Sequence, residues 1–341
     1  MLSTKHKLPL RKIPKIFRED NLKMALRSGF MSVTCHAIRS KSSAAAQSIN
    51  LSGIMPPIPT PFNEDESIAY AKLSSNFQHW EKMPFQGYVV QGSNGEYPLL
   101  TTEERIEMVK QVRQLIPKDK LLIAGSSSES TQATIDITNE MAAVGANAVM
   151  VINPSYFKSS MTNSALIKHY EDVANNSSVP WMNKLKETGS VLKGKTTGRP
   201  RVSDECVEEV RDEFVRSPIF IFKVTGVNET NLIYAENART DISTGCVGGI
   251  NGLANILGNE VCEIHRLVSE SRLREALELH QRLIVPNALV TRELGVPAMK
   301  AAMDMVGLYG GPCRRPLLPL TDQERKRVQQ AFNNSGFETK Y

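Results

Sequence analysis

The fold is decided by residues 87–125, which read GYVVQGSNGEYPLLTTEERIEMVKQVRQLIPKDKLLIAG. The segment opens on a short apolar run, and a second apolar run closes it at 121–125. Between them, Thr101 or Thr102 stands just before acidic residues, which is the pattern of a helix N-cap. Apolar residues then recur at helical spacing, at Ile106, Val109, Val112 and Ile116. The segment therefore predicts a β-α-β unit with two buried parallel strands.

The same alternation continues on both sides of this unit. Apolar runs predict strands at 53–62, 87–92, 121–125 and 148–153, and amphipathic stretches predict helices at 69–83, 101–116, 130–146 and 164–176. A (β/α)8 barrel and an open doubly wound sheet both fit four such units. The fingerprint GxGxxG does not follow the first strand, which disfavours a dinucleotide-binding sheet. After Gly245 the chain is mostly helical, which predicts a helical C-terminal region.

The composition is that of a soluble globular protein. Hydrophobic residues make up 41% of the 341 residues and charged residues 23%. No run approaches the roughly 18 apolar residues of a transmembrane helix. The five cysteines form no CxxC pair, and the six histidines form no HxxxH or HExxH motif. These spacings argue against a disulfide scaffold and against a metal centre.

Positive charge is concentrated at the start of the chain. Residues 1–50 contain ten Lys or Arg and two acidic residues, a net charge of +8, whereas the remainder carries −3. A basic, acid-poor leader that contains Ser and Ala is typical of a mitochondrial transit peptide. The sequence therefore predicts import into the mitochondrial matrix. A disordered basic tail is the alternative.

Three places at predicted strand ends carry binding or reactive groups. Ser93 and Asn94 stand between two glycines after a strand, where backbone N–H groups and a hydroxyl can receive a carboxylate or carbonyl oxygen. Lys223 follows the apolar run at 219–222, and a partly desolvated lysine can form a Schiff base with a carbonyl. Tyr156 follows a further strand and could relay protons. An ordinary turn, a solvated lysine and a packing tyrosine are the alternatives that the pattern leaves open.

Several motifs in order resemble one superfamily of enzymes. The chain resembles the dihydrodipicolinate synthase/N-acetylneuraminate lyase superfamily at TPF (60–62), GYVVQGSNGEYPLLTTEER (87–105), LLIAGSSSESTQATI (121–135) and AVMVINPSYF (148–157). It resembles the mitochondrial 4-hydroxy-2-oxoglutarate aldolase branch at QGSNGE and at GVPAMKAAMDMVGLYGGPCRRPL (295–317). The resemblance implies a (β/α)8 TIM barrel in a homotetramer built from dimers. It also implies a class I aldolase without metal or cofactor, which cleaves a small 2-oxo acid, 4-hydroxy-2-oxoglutarate, to pyruvate and glyoxylate.

The resemblance also implies roles for individual residues. Ser93 and Asn94 match residues that bind the substrate carboxylate, with the Ser93 hydroxyl in a proton relay. Lys223 matches the Schiff-base lysine, and Thr225 matches a small hydroxyl residue that binds substrate two positions further on. Tyr156 matches a relay tyrosine that reaches the active site of a neighbouring subunit. An iminium at Lys223 would act as the electron sink when the C–C bond breaks.

The resemblance is interrupted after Val179-Pro180. The superfamily's Tyr-x-Val-Pro motif, with its principal proton-shuttling tyrosine, is absent, and residues 181–218 resemble a helix-turn-helix segment of transposase-derived domains. The stretch 227–244 is too short for two helices and a seventh strand. We therefore expect an incomplete barrel in which strands five and seven are replaced or missing. The predicted segments are a leader at 1–50, a first half-barrel at 51–180, a helical insert at 181–218, and the rest of the barrel with the C-terminal helices at 219–341.

These observations leave several functions open. The first is a mitochondrial pyruvate-forming aldolase. The second is a catalytically impaired chimeric paralogue or regulatory subunit. Another pyruvate-dependent lyase of the superfamily, dihydrodipicolinate synthase or N-acetylneuraminate lyase, is a further alternative. DNA binding by residues 181–218 is disfavoured, because a single helix-turn-helix fragment stands in a body with a net charge of −3.

Overall fold

The computed structural model describes residues 32–36, 49–184, 220–225, 232–237 and 246–339. Its strands are β1 (Ser32–His36), β2 (Gly53–Ile54), β3 (Gly87–Val90), β4 (Leu121–Gly125), β5 (Ala148–Ile152), β6 (Trp181–Lys184), β7 (Phe220–Thr225), β8 (Leu232–Asn237) and β9 (Cys246–Ile250). Its α-helices are α1 (Tyr70–Trp80), α2 (Thr102–Leu115), α3 (Thr131–Ala143), α4 (Asn163–Asn176), α5 (Gly258–Ser269), α6 (Leu273–Ala288), α7 (Gly295–Met305) and α8 (Asp322–Asn334). The 3-10 turns are Ser93–Gly95, Tyr97–Leu99 and Gly252–Asn255, and a π-helical turn spans Leu289–Glu293.

The described strands form one nine-stranded sheet in the order β2-β9-β7-β8-β1-β6-β5-β4-β3. The two ends of this order meet through backbone hydrogen bonds. The Gln86 N–H donates to the Ile54 oxygen at 2.9 Å, and the Ile58 N–H donates to the Val89 oxygen at 2.9 Å. The sheet is therefore closed into a barrel. The α/β barrel with C-terminal helices that the sequence predicts is confirmed.

Strand direction divides the barrel into a regular and an irregular part. β2 to β6 run parallel, whereas β1 and β7 run antiparallel to each of their neighbours. Only six residues, 226–231, connect β7 to β8. A parallel crossover needs about a dozen residues or more, so this connection permits an antiparallel pair alone. The short connection between β7 and β8 thus explains why these two strands depart from the parallel order.

Two predicted segments contribute strands to the irregular part. β6 is the beginning of the predicted insert 181–218 and pairs in parallel with β5, so the fifth place in the barrel is occupied. The rest of the insert lies outside the described residues, and its transposase-like character stays a prediction. β1 comes from the predicted leader 1–50 and lies between β6 and β8. The remainder of that range up to residue 48 lies outside the described residues, and the transit peptide stays a prediction.

The regular part has a core on each side of its strands, because neighbouring residues of a strand face opposite ways. One set lies on the strands or directly beside them and fills the barrel; it comprises Leu51, Met55, Val89, Leu121, Ile123, Ala148, Met150 and Ile250. The alternate residues pack against the helices; they include Tyr88, Val90, Leu122, Ala124, Val149 and Val151. The strands are thus apolar on both faces, which is typical of a buried parallel sheet.

Local sequence explains where two elements begin and end. Thr101 and Glu104 form a reciprocal capping box, because the Glu104 N–H donates to the Thr101 hydroxyl at 3.2 Å and the Thr101 N–H donates to the Glu104 carboxylate at 2.9 Å. The predicted N-cap of α2 is therefore confirmed. The first strand is shorter than the predicted 53–62, because prolines supply no N–H to a strand ladder; they stand at Pro56, Pro57, Pro59 and Pro61.

The C-terminal helices cover the carboxyl-terminal edge of the barrel. α7 packs against α8 and contacts the 3-10 turn that follows β3. Its residues Ala298, Met299 and Ala302 belong to the main core. No helix in the described ranges combines the length and apolar character needed to cross a lipid bilayer.

Candidate functional site

A tight turn at Ser93–Gly95 follows β3. Gln91 and Glu96, on either side of it, have φ angles of 62° and 52°. These angles lie in the left-handed region, which residues other than glycine disfavour. Each such residue costs about 1–3 kcal/mol and persists only where its surroundings hold it. The rest of the molecule therefore imposes the shape of this turn.

Ser93 and Asn94 stand together at the carboxyl-terminal edge of the barrel. Ser93 is exposed and Asn94 is half-buried. The Thr60 hydroxyl donates a hydrogen bond of 2.7 Å to the Gly95 carbonyl and anchors the turn from below. Active sites of (β/α)8 enzymes lie at this edge of the barrel. The position suits the predicted carboxylate-binding role of both residues, and the role itself stays a prediction.

A second polar loop, Asn251–Asn255, meets this turn at the end of β9. The Asn255 side-chain amide donates to two backbone carbonyls, at 3.0 and 2.9 Å. A Cβ atom on Gly252 would lie 2.8 Å from the Asn94 Nδ2 atom, so the two loops touch. Asn251 and Asn255 each bury a side-chain oxygen for which the described part of the chain shows no hydrogen-bond partner. This loop was not predicted as part of a site, although the pair of asparagines around a glycine after an apolar run is a signal for it.

A buried ion pair supports the turn from the opposite side. The Lys300 ammonium lies 2.6 Å from one Glu96 carboxylate oxygen, and both side chains are almost fully buried. Lys300 also donates to the Pro312 carbonyl at 2.8 Å and stands 4.5 Å from the ring centre of Phe62. Burial lowers the pKa of Lys300, and the Glu96 carboxylate opposes this effect. This pair was not predicted from the sequence, because its two members are far apart in the chain.

Arg314 connects the loop between α7 and α8, here called the C-terminal loop, to the start of α2. Its guanidinium binds both carboxylate oxygens of Glu104, at 2.6 and 2.8 Å, and donates to the Leu99 carbonyl at 2.9 Å. The Arg314 backbone N–H donates to the second Glu96 oxygen at 2.9 Å. The hydrogen bonds from Arg314 hold the pKa of Glu104 below its usual value. The C-terminal loop thus contacts both ends of the segment 96–104.

Tyr156 lies in an exposed turn that follows β5. Its side chain is 78% exposed, that of Phe157 is 67% exposed, and the two rings meet edge to face at 5.0 Å. The backbone N–H groups of Ser155 and Tyr156 donate to the Glu129 carboxylate, at 2.8 and 2.9 Å. This carboxylate fixes the turn that presents the two rings to solvent. The predicted relay role of Tyr156 in a neighbouring subunit stays a prediction.

Lys223 and Thr225 lie in β7, of which the structure describes the backbone. Lys223 pairs with Cys246, the first residue of β9, and Thr225 lies further in the same direction. Gly252, which adjoins Asn94, follows the opposite end of β9, after Ile250. The structure thus does not bring the Lys223 backbone to the Ser93–Asn94 turn. The roles of Lys223 and Thr225 stay predictions.

Neither a metal-binding cluster nor a cavity adds to the site among the described residues. The described residues contain no group of three or more His, Cys, Asp or Glu side chains that could hold a metal ion. A cavity of about 550 Å³ lies between the start of β2 and α5, with Gly53, Cys262 and Arg266 in its lining. Gly53 begins a strand, so this cavity lies at the amino-terminal edge, away from Ser93. The candidate site therefore consists of the turn after β3, the loop after β9 and the groups that hold them.

Comparison with known proteins matches most of the chain to one family. The model of the dihydrodipicolinate synthetase family matches residues 50–335. The chain is 28% identical over 297 residues to a 4-hydroxy-tetrahydrodipicolinate synthase from Oceanobacillus iheyensis, and the match covers 84% of this chain and 98% of the relative. It is 27% identical to the enzyme of that name from Methanococcus maripaludis, with 84% and 99% covered. The similarity thus extends across the turn after β3 and the loop after β9.

A solved structure gives the same result for the fold. A dihydrodipicolinate synthase from Bacillus anthracis matches this structure with a TM-score of 0.66 at 24% sequence identity. The match covers 84% of this chain and 99% of that protein. At this level of identity, the likeness shows that the two chains share a barrel fold.

Proposed function

The chain belongs to the dihydrodipicolinate synthetase family, and from this premise we propose that it acts on pyruvate through a Schiff base at Lys223. The family's members are pyruvate-dependent class I aldolases and lyases, and the match over residues 50–335 is the observation that carries the proposal. The turn Ser93–Asn94, at the edge of the barrel where such enzymes bind substrate, supports it. The chain would therefore make or break a C–C bond at the methyl carbon of pyruvate.

The chemistry assigns a distinct task to each residue of the proposal. The Lys223 amine attacks the ketone of pyruvate, a C=N bond forms and water leaves. The iminium withdraws electrons from the neighbouring methyl group, which loses a proton and becomes the nucleophilic carbon of an enamine. The Ser93–Asn94 turn receives the carboxylate, and the Ser93 hydroxyl and Tyr156 move protons. This assignment requires β7 to bring Lys223 to the turn, away from the end of β9 where it pairs with Cys246. Thr225 binds substrate beside the lysine.

The names of the relatives favour synthesis over cleavage as the direction of the reaction. The curated relatives in Oceanobacillus iheyensis and Methanococcus maripaludis are 4-hydroxy-tetrahydrodipicolinate synthases. We propose that this chain condenses pyruvate with an aldehyde in the same manner. Cleavage of 4-hydroxy-2-oxoglutarate to pyruvate and glyoxylate uses the same enamine in reverse, and the motif QGSNGE supports it.

Product analysis distinguishes the two substrates. The full chain is incubated with pyruvate and an amino-acid semialdehyde, and separately with 4-hydroxy-2-oxoglutarate, and the products are identified by mass spectrometry. Appearance of 4-hydroxy-tetrahydrodipicolinate supports the synthase, and appearance of glyoxylate supports the aldolase. The Lys223→Arg variant, which keeps the charge but forms no stable imine, is the matched control and should be inactive. Equal turnover by this variant would contradict the assignment of the lysine.

A second function, a catalytically impaired subunit, rests on two observations. The chain lacks the Tyr-x-Val-Pro motif. In addition, β7 runs antiparallel to β9, and Lys223 pairs with Cys246 at the end of β9 that lies away from the Ser93–Asn94 turn. A chain of this kind would join active relatives without forming the imine. If neither product appears with either substrate, the impaired subunit becomes the better description.

Two further proposals concern assembly and location. We propose that the chain forms a homotetramer, because the exposed rings of Tyr156 and Phe157 lie on a turn that Glu129 holds in place. Large exposed aromatic side chains are enriched at protein interfaces. We also propose import into mitochondria, supported by the net charge of +8 in residues 1–50.

A further inference from the structure

The buried lysine of α7 lies at the junction of three segments that are distant in sequence. The Lys300 ammonium is 2.6 Å from the Glu96 carboxylate, 2.8 Å from the Pro312 oxygen and 4.5 Å from the ring centre of Phe62. Its side chain is 1% exposed. A lysine is almost never buried this fully unless it is paired. The burial of this lysine therefore depends on its contacts with Glu96 and Pro312.

The partner carboxylate is bound at both of its oxygens. One Glu96 oxygen faces Lys300, and the other accepts the Arg314 backbone N–H at 2.9 Å. Glu96 is also the residue that ends the Ser93–Gly95 turn, with a φ of 52°. A glutamate adopts this angle only where outside contacts hold it. The ion pair supplies such a contact one residue after the turn.

The turn is thus clamped between two anchors. Thr60 binds the Gly95 carbonyl at 2.7 Å on the barrel side, and the Lys300–Glu96 pair holds the next residue on the side of α7. Ser93 and Asn94 lie immediately before these anchors. A displacement of Glu96 would therefore change the direction in which the turn presents its N–H and hydroxyl groups.

Stability alone is a poor explanation for the pair. Burying two charges costs desolvation energy that their attraction need not repay, and apolar replacements of such pairs are often neutral or stabilising. A pair that fixes one backbone conformation serves a different purpose, since binding a carboxylate requires donors that are already oriented.

We propose that Lys300 is a positioning residue, which orients the Ser93–Asn94 turn through Glu96 and thereby sets the affinity for the carboxylate of the 2-oxo acid. Lys300 does not touch the substrate in this account, and the inference rests on the proposed function for its substrate. The affinity for pyruvate should therefore depend on the pair, while the reactivity of the bound pyruvate should not.

The test uses the full chain and trapping of the pyruvate imine with borohydride at a series of pyruvate concentrations. Lys300→Met should raise the half-saturating concentration about tenfold and leave the yield at saturation close to that of the wild type. Lys300→Arg keeps the charge and should restore most of the affinity. Val173→Ala, which removes buried volume in α4 far from the turn, is the matched control for lost stability and should leave the half-saturating concentration unchanged.

A double variant separates positioning from stability. Each single variant, Lys300→Met or Glu96→Gln, leaves one buried charge without its opposite charge, whereas the double variant removes both charges. The double variant should recover the melting temperature but keep the raised half-saturating concentration. Recovery of both would overturn the proposal, because the pair would then act through stability alone. If Lys300→Met does not fold, Glu96→Gln and the double variant carry the same comparison.

Hydrogen exchange of the backbone amides of residues 93–96 provides a readout without substrate. Exchange there should be faster in Lys300→Met and in the double variant than in the wild type and Val173→Ala. If the wild type traps no pyruvate, the proposed function fails, and the exchange measurement still decides the inference: faster exchange supports the positioning of the turn. Unchanged exchange in Lys300→Met and in the double variant would overturn the inference.

Discussion

Single residues decide how closely the two loops of the candidate site approach each other. Gly252 places its α-carbon against Asn94 so tightly that a Cβ would stand 2.8 Å from the amide nitrogen. Gly92, one residue before the turn, has space, because the nearest atom to its Cβ position is 3.7 Å away on Pro57. Gly252 is therefore required for the close approach of the two loops, whereas Gly92 is not, although both lie beside the same turn.

We predict that Gly252→Ala weakens pyruvate binding about tenfold, or ~1.4 kcal/mol, because the new methyl group displaces the Asn94 side chain. Its effect is measured as the half-saturating pyruvate concentration for imine trapping. Gly92→Ala serves as the matched control and should change this value less than about twofold. A Gly252→Ala protein with wild-type affinity would show that Asn94 does not take part in binding.

At the scale of elements, the C-terminal loop and the start of α2 are joined through one carboxylate. Glu104 closes the capping box with Thr101 and also binds the guanidinium of Arg314 at 2.6 and 2.8 Å. The same loop carries the backbone N–H that binds Glu96. A change at Glu104 should therefore loosen the attachment of the loop that also supports the turn after β3.

The pH dependence of stability should report on this carboxylate. The folded protein holds the pKa of Glu104 below the 4.5 expected for a free glutamate, chiefly through Arg314. Its contribution is therefore fully present above about pH 4.5 and is lost as the pH falls through the lowered pKa. We predict that Glu104→Gln reduces the unfolding free energy by about 0.5–1 kcal/mol at pH 7 and flattens its decline between pH 5 and pH 3.

Urea unfolding at a series of pH values measures both effects. Glu107→Gln is the control, because Glu107 is a more exposed glutamate of the same helix that pairs with Lys110 at 3.2 Å. A decline of equal slope in wild type and Glu104→Gln would show that the Arg314 pair contributes nothing to acid stability.

Local patterns in the sequence were sufficient for elements whose signals are local. The β-α-β unit at 87–125 and the cap at Thr101 follow from apolar spacing and from one residue type at one position. The direction of β7 was not predicted, because it depends on the number of residues available between strands. The Lys300–Glu96 ion pair and the loop after β9 were not predicted either. Their contacts form only when the barrel closes, and the sequence around each of them does not indicate the distant partner.

At the scale of the whole molecule, the barrel closes although its strands are not all parallel. β6 occupies the fifth place, and β1 and β7 run against their neighbours. Sequential β-α units build β2 to β5 and carry the turn with Ser93. The irregular strands carry Lys223. Under the proposed function, catalysis therefore depends on how the irregular half of the barrel presents Lys223 to the regular half.

We predict that the exposed aromatic pair contributes to self-association. The double variant Tyr156→Ser/Phe157→Ser removes two large exposed rings and should shift the chain toward smaller assemblies at equal concentration. Light scattering after size-exclusion chromatography measures the mass. Leu318→Ser, which removes a different exposed apolar side chain, is the control. An unchanged mass in the aromatic variant would contradict an interface at this turn.

The central claim is that Lys223 forms an imine with pyruvate, and trapping that imine tests it most directly. The full chain is treated with pyruvate and borohydride, digested, and mapped by tandem mass spectrometry. We predict a reduced pyruvyl adduct on Lys223 that is absent from Lys223→Arg and from a sample without pyruvate. The absence of any adduct in the wild type, or an adduct confined to other lysines, would contradict the account.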